Sequence, residues 1–300
     1  MKALKLLTVL FLTITLFGSC ITNDSYYDDS ITLEQLVSSY DLWYIDYNKT
    51  TGSEDVPFLS KAFTISFHNG RLIANNNLVG LGAVGDGYGD EIGYYETING
   101  VLEIDHKQDG FIDLEVIQLS NDEIKLRDTQ TNTSYYLIGY QKNNFDYDFV
   151  FYDNIEYFLQ EYEAWEKTAV SQTGALNEFD DENFLQFTPE QNTTFRSSKD
   201  EFGTNVEHLI WDFVGGYEVF DVNGQDDLKI LTLDYDFFDN EEFELSVIND
   251  NEIDLYHAAS GTTYTFNGRN NIIFKKGVAK GKISETRKRF KTNRKTKTKK

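Results

Sequence analysis

The chain is written in short apolar and polar alternations rather than in helical stripes. Phe63-Thr64-Ile65-Ser66-Phe67 and Phe243-Glu244-Leu245-Ser246-Val247 each place an apolar side chain at every second position, the period that gives a strand one buried and one wet face. His68-Asn69-Gly70 closes the first run and Asn249-Asp250-Asn251 the second, residues suited to reversing the chain into a hairpin. Turn signals recur every eight to twelve residues, prolines number only two (Pro57 and Pro189), and Phe and Tyr are abundant. The pattern predicts many short antiparallel strands.

The pattern also repeats. Phe111 to Leu126 (FIDLEVIQLSNDEIKL) parallels Phe243 to Leu255 (FELSVINDNEIDL), and both lead to a Thr/Tyr stretch, Thr133-Ser134-Tyr135-Tyr136 in one half and Thr262-Thr263-Tyr264-Thr265 in the other. Upstream, Gly93-Tyr94-Tyr95-Glu96 with Asn99-Gly100 matches Gly216-Tyr217-Glu218 with Asn223-Gly224. Further upstream, Tyr40-Asp41-Leu42-Trp43 matches Tyr162-Glu163-Ala164-Trp165. Landmarks in one order, about 120 to 130 residues apart, indicate a duplicated unit. Each copy is expected to open on a short helix: Thr32-Leu33-Glu34-Gln35 reads as a capping box, and Asp153 to Glu156 could open the second. Phe145 to Tyr152 alternates aromatic and acidic residues, as a one-faced strand or a linker between units would.

An early Trp, a central aromatic strand, a hairpin at an Asn-Gly turn and a final LSNDEIKLR hairpin (Leu119 to Arg127) resemble the lipocalin-like domains of Bacteroidetes lipoproteins. The resemblance covers nearly all of residues 32–142 and, more loosely, residues 155–269, with the second unit expected over residues 155–274. It implies an all-β chain of two tandem small antiparallel β-barrel or sandwich units, each preceded by a short helix, with residues 143–154 linking them. Closure of such units hides strand edges that would otherwise pair with other chains. Glu178 to Glu182 and Asp234 to Asp239 lengthen two connections of the second copy.

The N-terminus carries an address. Lys2 and Lys5 precede an apolar run from Leu6 to Phe17, shorter than the roughly 20 residues of a membrane span, so residues 1–19 read as a signal peptide. Leu16-Phe17-Gly18-Ser19-Cys20 resembles the lipobox of bacterial lipoproteins, which implies lipidation at Cys20. Cys20 is the chain's one cysteine, so no internal disulfide competes for it. Residues 20–31 form a short acidic tether. The expected location is the outer membrane, on its periplasmic face or at the cell surface.

Charge divides the rest. Lys275 to Lys300 carries 13 basic residues and one acid, a net of +12, whereas the body from Cys20 to Phe274 carries 49 acids against 12 bases, or -37. Such a body repels nucleic acid. The tail has few apolar residues and is expected to be disordered. Three readings of it stand open: an arm for anionic polymer, an arm folded back on its own body, or a solvated end.

Candidate chemistry is sparse. Gly80-Leu81-Gly82-Ala83-Val84-Gly85 matches the dinucleotide fingerprint, but Asp86-Gly87-Tyr88-Gly89-Asp90 follows where a helix is required, and no Lys or Arg lies between Arg71 and Lys107. A connection near one barrel end is the better reading, and no cofactor is expected. Asp221, Asn223 and Asp227 space their oxygens as calcium loops do. The Glu and Gly that an EF-hand needs are Thr232 and Asp226 here, so an Asn-Gly hairpin is favoured. The four histidines are scattered, with His68 and His106 expected in solvent, and no G-x-S-x-G elbow occurs.

Trp43, Tyr95, Trp165 and Tyr217 are the candidate ligand contacts, with burial in the core the favoured reading for each tryptophan. The expected function is a non-enzymatic binding module for a small apolar molecule or glycan. The alternatives are a structural partner in an outer-membrane complex and an envelope hydrolase using paired carboxylates.

Overall fold

The computed structural model describes residues 31–81, 88–188, 193–236, 240–274 and 287–299. Cys20, the signal segment, all but the last residue of the tether, Gly82 to Gly85 of the glycine-rich stretch and residues 275–286 lie outside the described residues.

Helix α1 (Leu33–Val37) starts directly after Thr32. Eight strands follow: β1 (Leu42–Thr51), β2 (Thr64–His68), β3 (Arg71–Asn75), β4 (Asp90–Ile98), β5 (Val101–His106), β6 (Gly110–Gln118), β7 (Glu123–Asp128) and β8 (Thr133–Tyr140). Each pairs antiparallel with the next, and β8 returns to β1 with Gly139 opposite Trp43, so the sheet closes into a barrel. Asn69-Gly70 and Asn99-Gly100 both have positive φ at the two turn positions (51° and 75°; 51° and 82°), the type I′ geometry that matches strand twist.

Helices α2 (Tyr147–Asp153) and α3 (Ile155–Leu159) lead to the second unit. It consists of β9 (Tyr162–Gln172), β10 (Phe184–Thr188), β11 (Thr194–Ser198), β12 (Phe213–Val222), β13 (Gln225–Tyr235), β14 (Glu241–Asn249), β15 (Glu252–His257) and β16 (Thr262–Asn271). Pairing of β9 with both β10 and β16, and of β11 with β12, closes this barrel too.

The duplication is visible atom by atom. The indole N–H of Trp43 donates to the Val37 carbonyl at 2.8 Å, and that of Trp165 to the Leu159 carbonyl at 2.8 Å. Tyr40 packs edge-on against Trp43, and Tyr162 against Trp165, at 5.0 and 4.8 Å between ring centroids. A Cβ on Gly139 would lie 2.4 Å from the Tyr40 ring, and one on Gly268 would lie 2.5 Å from the Tyr162 ring. Each helix is thereby stapled to the first strand of its barrel.

Two expectations change. The Phe145 to Tyr152 stretch is mainly helical, because Asp146 caps α2 by accepting the Phe149 N–H at 2.9 Å and Val150, Phe151 and Tyr152 face inward. Asp153 therefore ends a helix, and α3 starts after Asn154.

The second correction concerns the basic tail. Residues 287–299 lie against the acidic body, the fold-back reading of the three. Arg294 grips the Glu156 carboxylate at 2.8 and 2.6 Å, and Lys295, Lys297 and Lys299 meet Glu218, Glu242 and Glu244 at 3.0, 2.5 and 2.8 Å. A short strand β17 (Thr296–Lys297) adds in parallel to β12 at Asp221 and Val222, beyond the Phe213 to Gly216 stretch that β11 covers. Arg289 is only 3% exposed. A low apolar content does not by itself keep such a segment in solvent. Guanidinium groups stacked on aromatic rings and paired with carboxylates can also be buried.

Candidate functional site

One end of barrel 1 holds a cleft of about 360 Å³, within the range of small-molecule sites. Its floor and walls come from Ala74 on β3, Ile92 on β4, His106 at the end of β5, Phe58 and Ala62 from the β1–β2 connection, and Phe274 beyond β16. Lys61, Asp90, Glu91, Lys107, Gln108 and Asp109 add polar groups. Asn76 and Asp90 flank the glycine-rich connection, so that stretch begins and ends beside the cleft.

Local structure fixes each wall. The β1–β2 connection coils at residues 57–61, with Ser60 N–H to Val56 at 3.0 Å and Ala62 N–H to Phe58 at 3.0 Å. This turns Phe58 onto His106, ring over ring at 5.4 Å. His106 is buried, contrary to its expected exposure, because it is the last residue of β5, opposite Gly93 and Gly110, and not part of a loop. A Cβ on Gly93 would sit 2.4 Å from the Asp105 carbonyl, so this approach of β4 to β5 requires glycine. Phe274 is held by Asn77, whose Oδ1 accepts the Phe274 N–H at 2.9 Å and whose Nδ2 donates to Ile272 at 2.8 Å.

The rim is a set of ion pairs. Lys107 Nζ lies 2.7 Å and Arg71 Nε 3.6 Å from the Glu91 carboxylate. The Lys107 hydrogen bond holds the Glu91 carboxyl below its ordinary range.

The tryptophans singled out in the sequence are elsewhere. Trp43 and Trp165 are fully buried core residues, fixed by their carbonyl bonds. Tyr217 is buried, accepting a 2.8 Å bond from Gln160. Tyr95 is buried with its hydroxyl on Glu34 at 2.8 Å, at the edge of a smaller cleft of about 260 Å³ with Tyr94 and Phe111. None of the four lines the barrel 1 cleft.

The calcium candidates form a hairpin. Asn223-Gly224 is the two-residue turn between β12 and β13, and the Asp221 carboxylate faces Lys229 at 2.7 Å and Arg294 at 3.7 Å. Two cations of the chain thus already face the Asp221 carboxylate. Among the described residues no group of three His, Cys, Asp or Glu is arranged to hold a metal.

The residues that build the cleft carried little signal. Phe58 had one: it stands in the connection that corresponds to Phe179, whose ring is buried against Phe243, Tyr264 and Phe266 in barrel 2. Phe58 is buried as well, but its ring packs on His106 and lines the cleft.

Fold and cleft together define a tandem antiparallel β-barrel protein with an apolar recess at one barrel end. Comparison of the chain with protein-family models, curated proteins and solved structures found no match.

Proposed function

We propose that this chain is a non-enzymatic binding module that takes a small apolar molecule in the barrel 1 cleft. In the same reading, Cys20 carries a lipid that anchors the module to the outer membrane of a bacterial envelope. The observation that carries the binding role is the 360 Å³ recess walled by Phe58, Ala62, Ala74, Ile92 and Phe274. Apolar walls with polar groups beside them suit a molecule with an apolar body and a polar end. The ion-paired state of Glu91 opposes a hydrolase role, since a general acid needs a raised pKa.

The test is equilibrium titration with the apolar fluorophore 8-anilinonaphthalene-1-sulfonate, using Ala74→Trp to fill the cleft. Saturable binding by the natural sequence, lost in the folded Ala74→Trp protein, is expected. Equal binding by both proteins would place the fluorophore elsewhere and sink the reading. Incorporation of a palmitate analogue in growing cells, absent from Cys20→Ser, tests the anchor.

A second reading, a structural partner in an envelope complex, is favoured by the connection between β11 and β12. There Phe202 and Ile210 stand 63% and 67% exposed, an arrangement common at protein contacts. Loss of an envelope cross-link in Phe202→Asp with Ile210→Asp would support it.

A further inference from the structure

The C-terminal segment does more than neutralise the acidic body. We propose that residues 287–299 act as a strap that sets the walls of the barrel 1 cleft, so that docking of the strap and occupancy of the cleft are coupled. This inference rests on the binding role assigned above and names the regulation of that site.

Two arginines carry it. Arg289 reaches across 244 residues of sequence to donate to the Ile45 carbonyl at 2.8 Å and across 227 to the Ala62 carbonyl at 3.0 Å. Its second terminal nitrogen, Nη2, donates to Asn154 Oδ1 at 2.8 Å. The Arg289 N–H donates to Ser60 at 2.9 Å, within the coil that carries Phe58 and Lys61. Its guanidinium lies over Phe63 and Tyr47, at 4.5 and 5.1 Å from the ring centres. Next to it, Lys288 pairs with Asp55. One wall of the cleft is therefore pinned by the strap at Asp55, Ser60 and Ala62.

Arg287 pins the opposite wall. Its guanidinium lies 4.9 Å from the centre of the Phe274 ring and 4.2 Å from that of Tyr157, beside the Glu161 carboxylate at 3.4 Å. Glu161 is fully buried and accepts the N–H groups of Leu78 (2.8 Å) and Val79 (2.7 Å), in the segment leading out of β3. Phe290 packs against Tyr157, ring tilted to ring, at 4.6 Å between centroids. Beyond Phe290, Lys291 and Thr292 meet Thr50 and Asn48 of β1, Arg294 meets Glu156 of α3, and β17 pairs with β12 of barrel 2.

Lifting the strap removes the donors from buried acceptors on both walls, and buried acceptors without partners drive local rearrangement. The Phe58 coil and Phe274 then keep only their own contacts, the coil's N–H bonds and the Asn77 clamp, and lose those of the strap. By linkage, a molecule that holds those walls in place favours the docked strap by the same factor that the strap favours the molecule. The lysine contacts on barrel 2 sit at the surface, where salt and competing charge weaken them. The strap is thus a release element, firm at the cleft and labile at its outer end.

The full chain with Arg289→Gln tests this by hydrogen exchange and by titration with 8-anilinonaphthalene-1-sulfonate. A second variant, Lys295→Gln with Lys297→Gln and Lys299→Gln, loosens the strap from barrel 2 without touching the cleft. Expected are faster exchange at residues 56–62 and 272–274 in Arg289→Gln, with the β13 to β15 core unchanged, and fluorophore affinity at least fivefold weaker. The triple variant should show a smaller loss of the same sign, and saturating fluorophore should slow exchange at residues 287–299 of the natural sequence. Unchanged exchange at residues 56–62 in Arg289→Gln would overturn the coupling whether or not the fluorophore binds. Failure of the natural sequence to bind the fluorophore, with the exchange response intact, would overturn the binding role alone. Equal affinity in a variant whose strap is shown to be loosened would overturn the coupling alone.

Discussion

Tyr235 donates its hydroxyl to both oxygens of Glu182, at 3.0 and 2.8 Å, in the interior of barrel 2. Burial, opposed by this hydrogen bond and by the Lys199 charge, pushes the Glu182 carboxyl up to about 7. A carboxyl raised in the folded state takes up its proton more readily there than in the unfolded chain. Its contribution to stability is full below the unfolded pKa of about 4.3 and is lost as pH rises through the folded value. The loss is on the order of 3 kcal/mol across that window. Glu182→Gln keeps an acceptor for Tyr235 and removes the titration. Urea unfolding at a series of pH values should show its stability profile flattened between about pH 4 and 7 relative to the natural sequence; parallel profiles would show that Glu182 does not titrate there.

The paired tryptophans predict paired costs. Trp43→Phe leaves the buried Val37 carbonyl without its donor and opens a void, and Trp165→Phe does the same to Leu159. Each should cost about 2 to 4 kcal/mol by chemical denaturation. A loss below about 1 kcal/mol in either would mean that this staple is not a shared stability element.

Gly139 and Gly268 face the rings of Tyr40 and Tyr162 so closely that a methyl group must displace them. Gly268→Ala and Gly139→Ala should each destabilise by about 1 to 3 kcal/mol, and Tyr162→Ala should relieve the Gly268→Ala strain in a double-mutant cycle. Additive losses would place the cost in the backbone instead.

Salt separates the two ends of the C-terminal segment. The Lys295 to Glu218 pair is exposed on both sides, whereas Arg289 is buried among carbonyls. Raising salt to about 1 M, where the screening length is about 3 Å, should speed amide exchange at residues 295–299 well before residues 287–290. Uniform exchange along the segment would contradict a graded attachment.

Much of the fold was legible locally. Alternation, Asn-Gly turns and the shared Tyr-x-x-Trp landmarks are short-range patterns, and the hairpins and the duplication follow from them. The start of α1 directly after Thr32 was equally local. Phe145 to Tyr152 was ambiguous because aromatic residues at alternate positions fit a strand, while the Asp146 cap and packing against barrel 2 decided for a helix.

The cleft was not legible, and the reason is sequence distance. Phe58, His106 and Phe274 meet only when the barrel closes and the chain has run through both units. Each reads as an ordinary core or loop residue where it stands, whereas the tryptophans drew attention by type and turned out to hold helices to strands.

The sequence by itself determined the strand pattern, the two turn-linked repeats and the opposite charges of body and tail, because these follow from side-chain period, turn chemistry and counting. Only the tertiary structure decided which glycines must stay small, where His106 sits and how the tail lies. Those outcomes depend on carbonyls, rings and carboxylates brought together from positions up to 244 residues apart, and no local pattern encodes such a meeting.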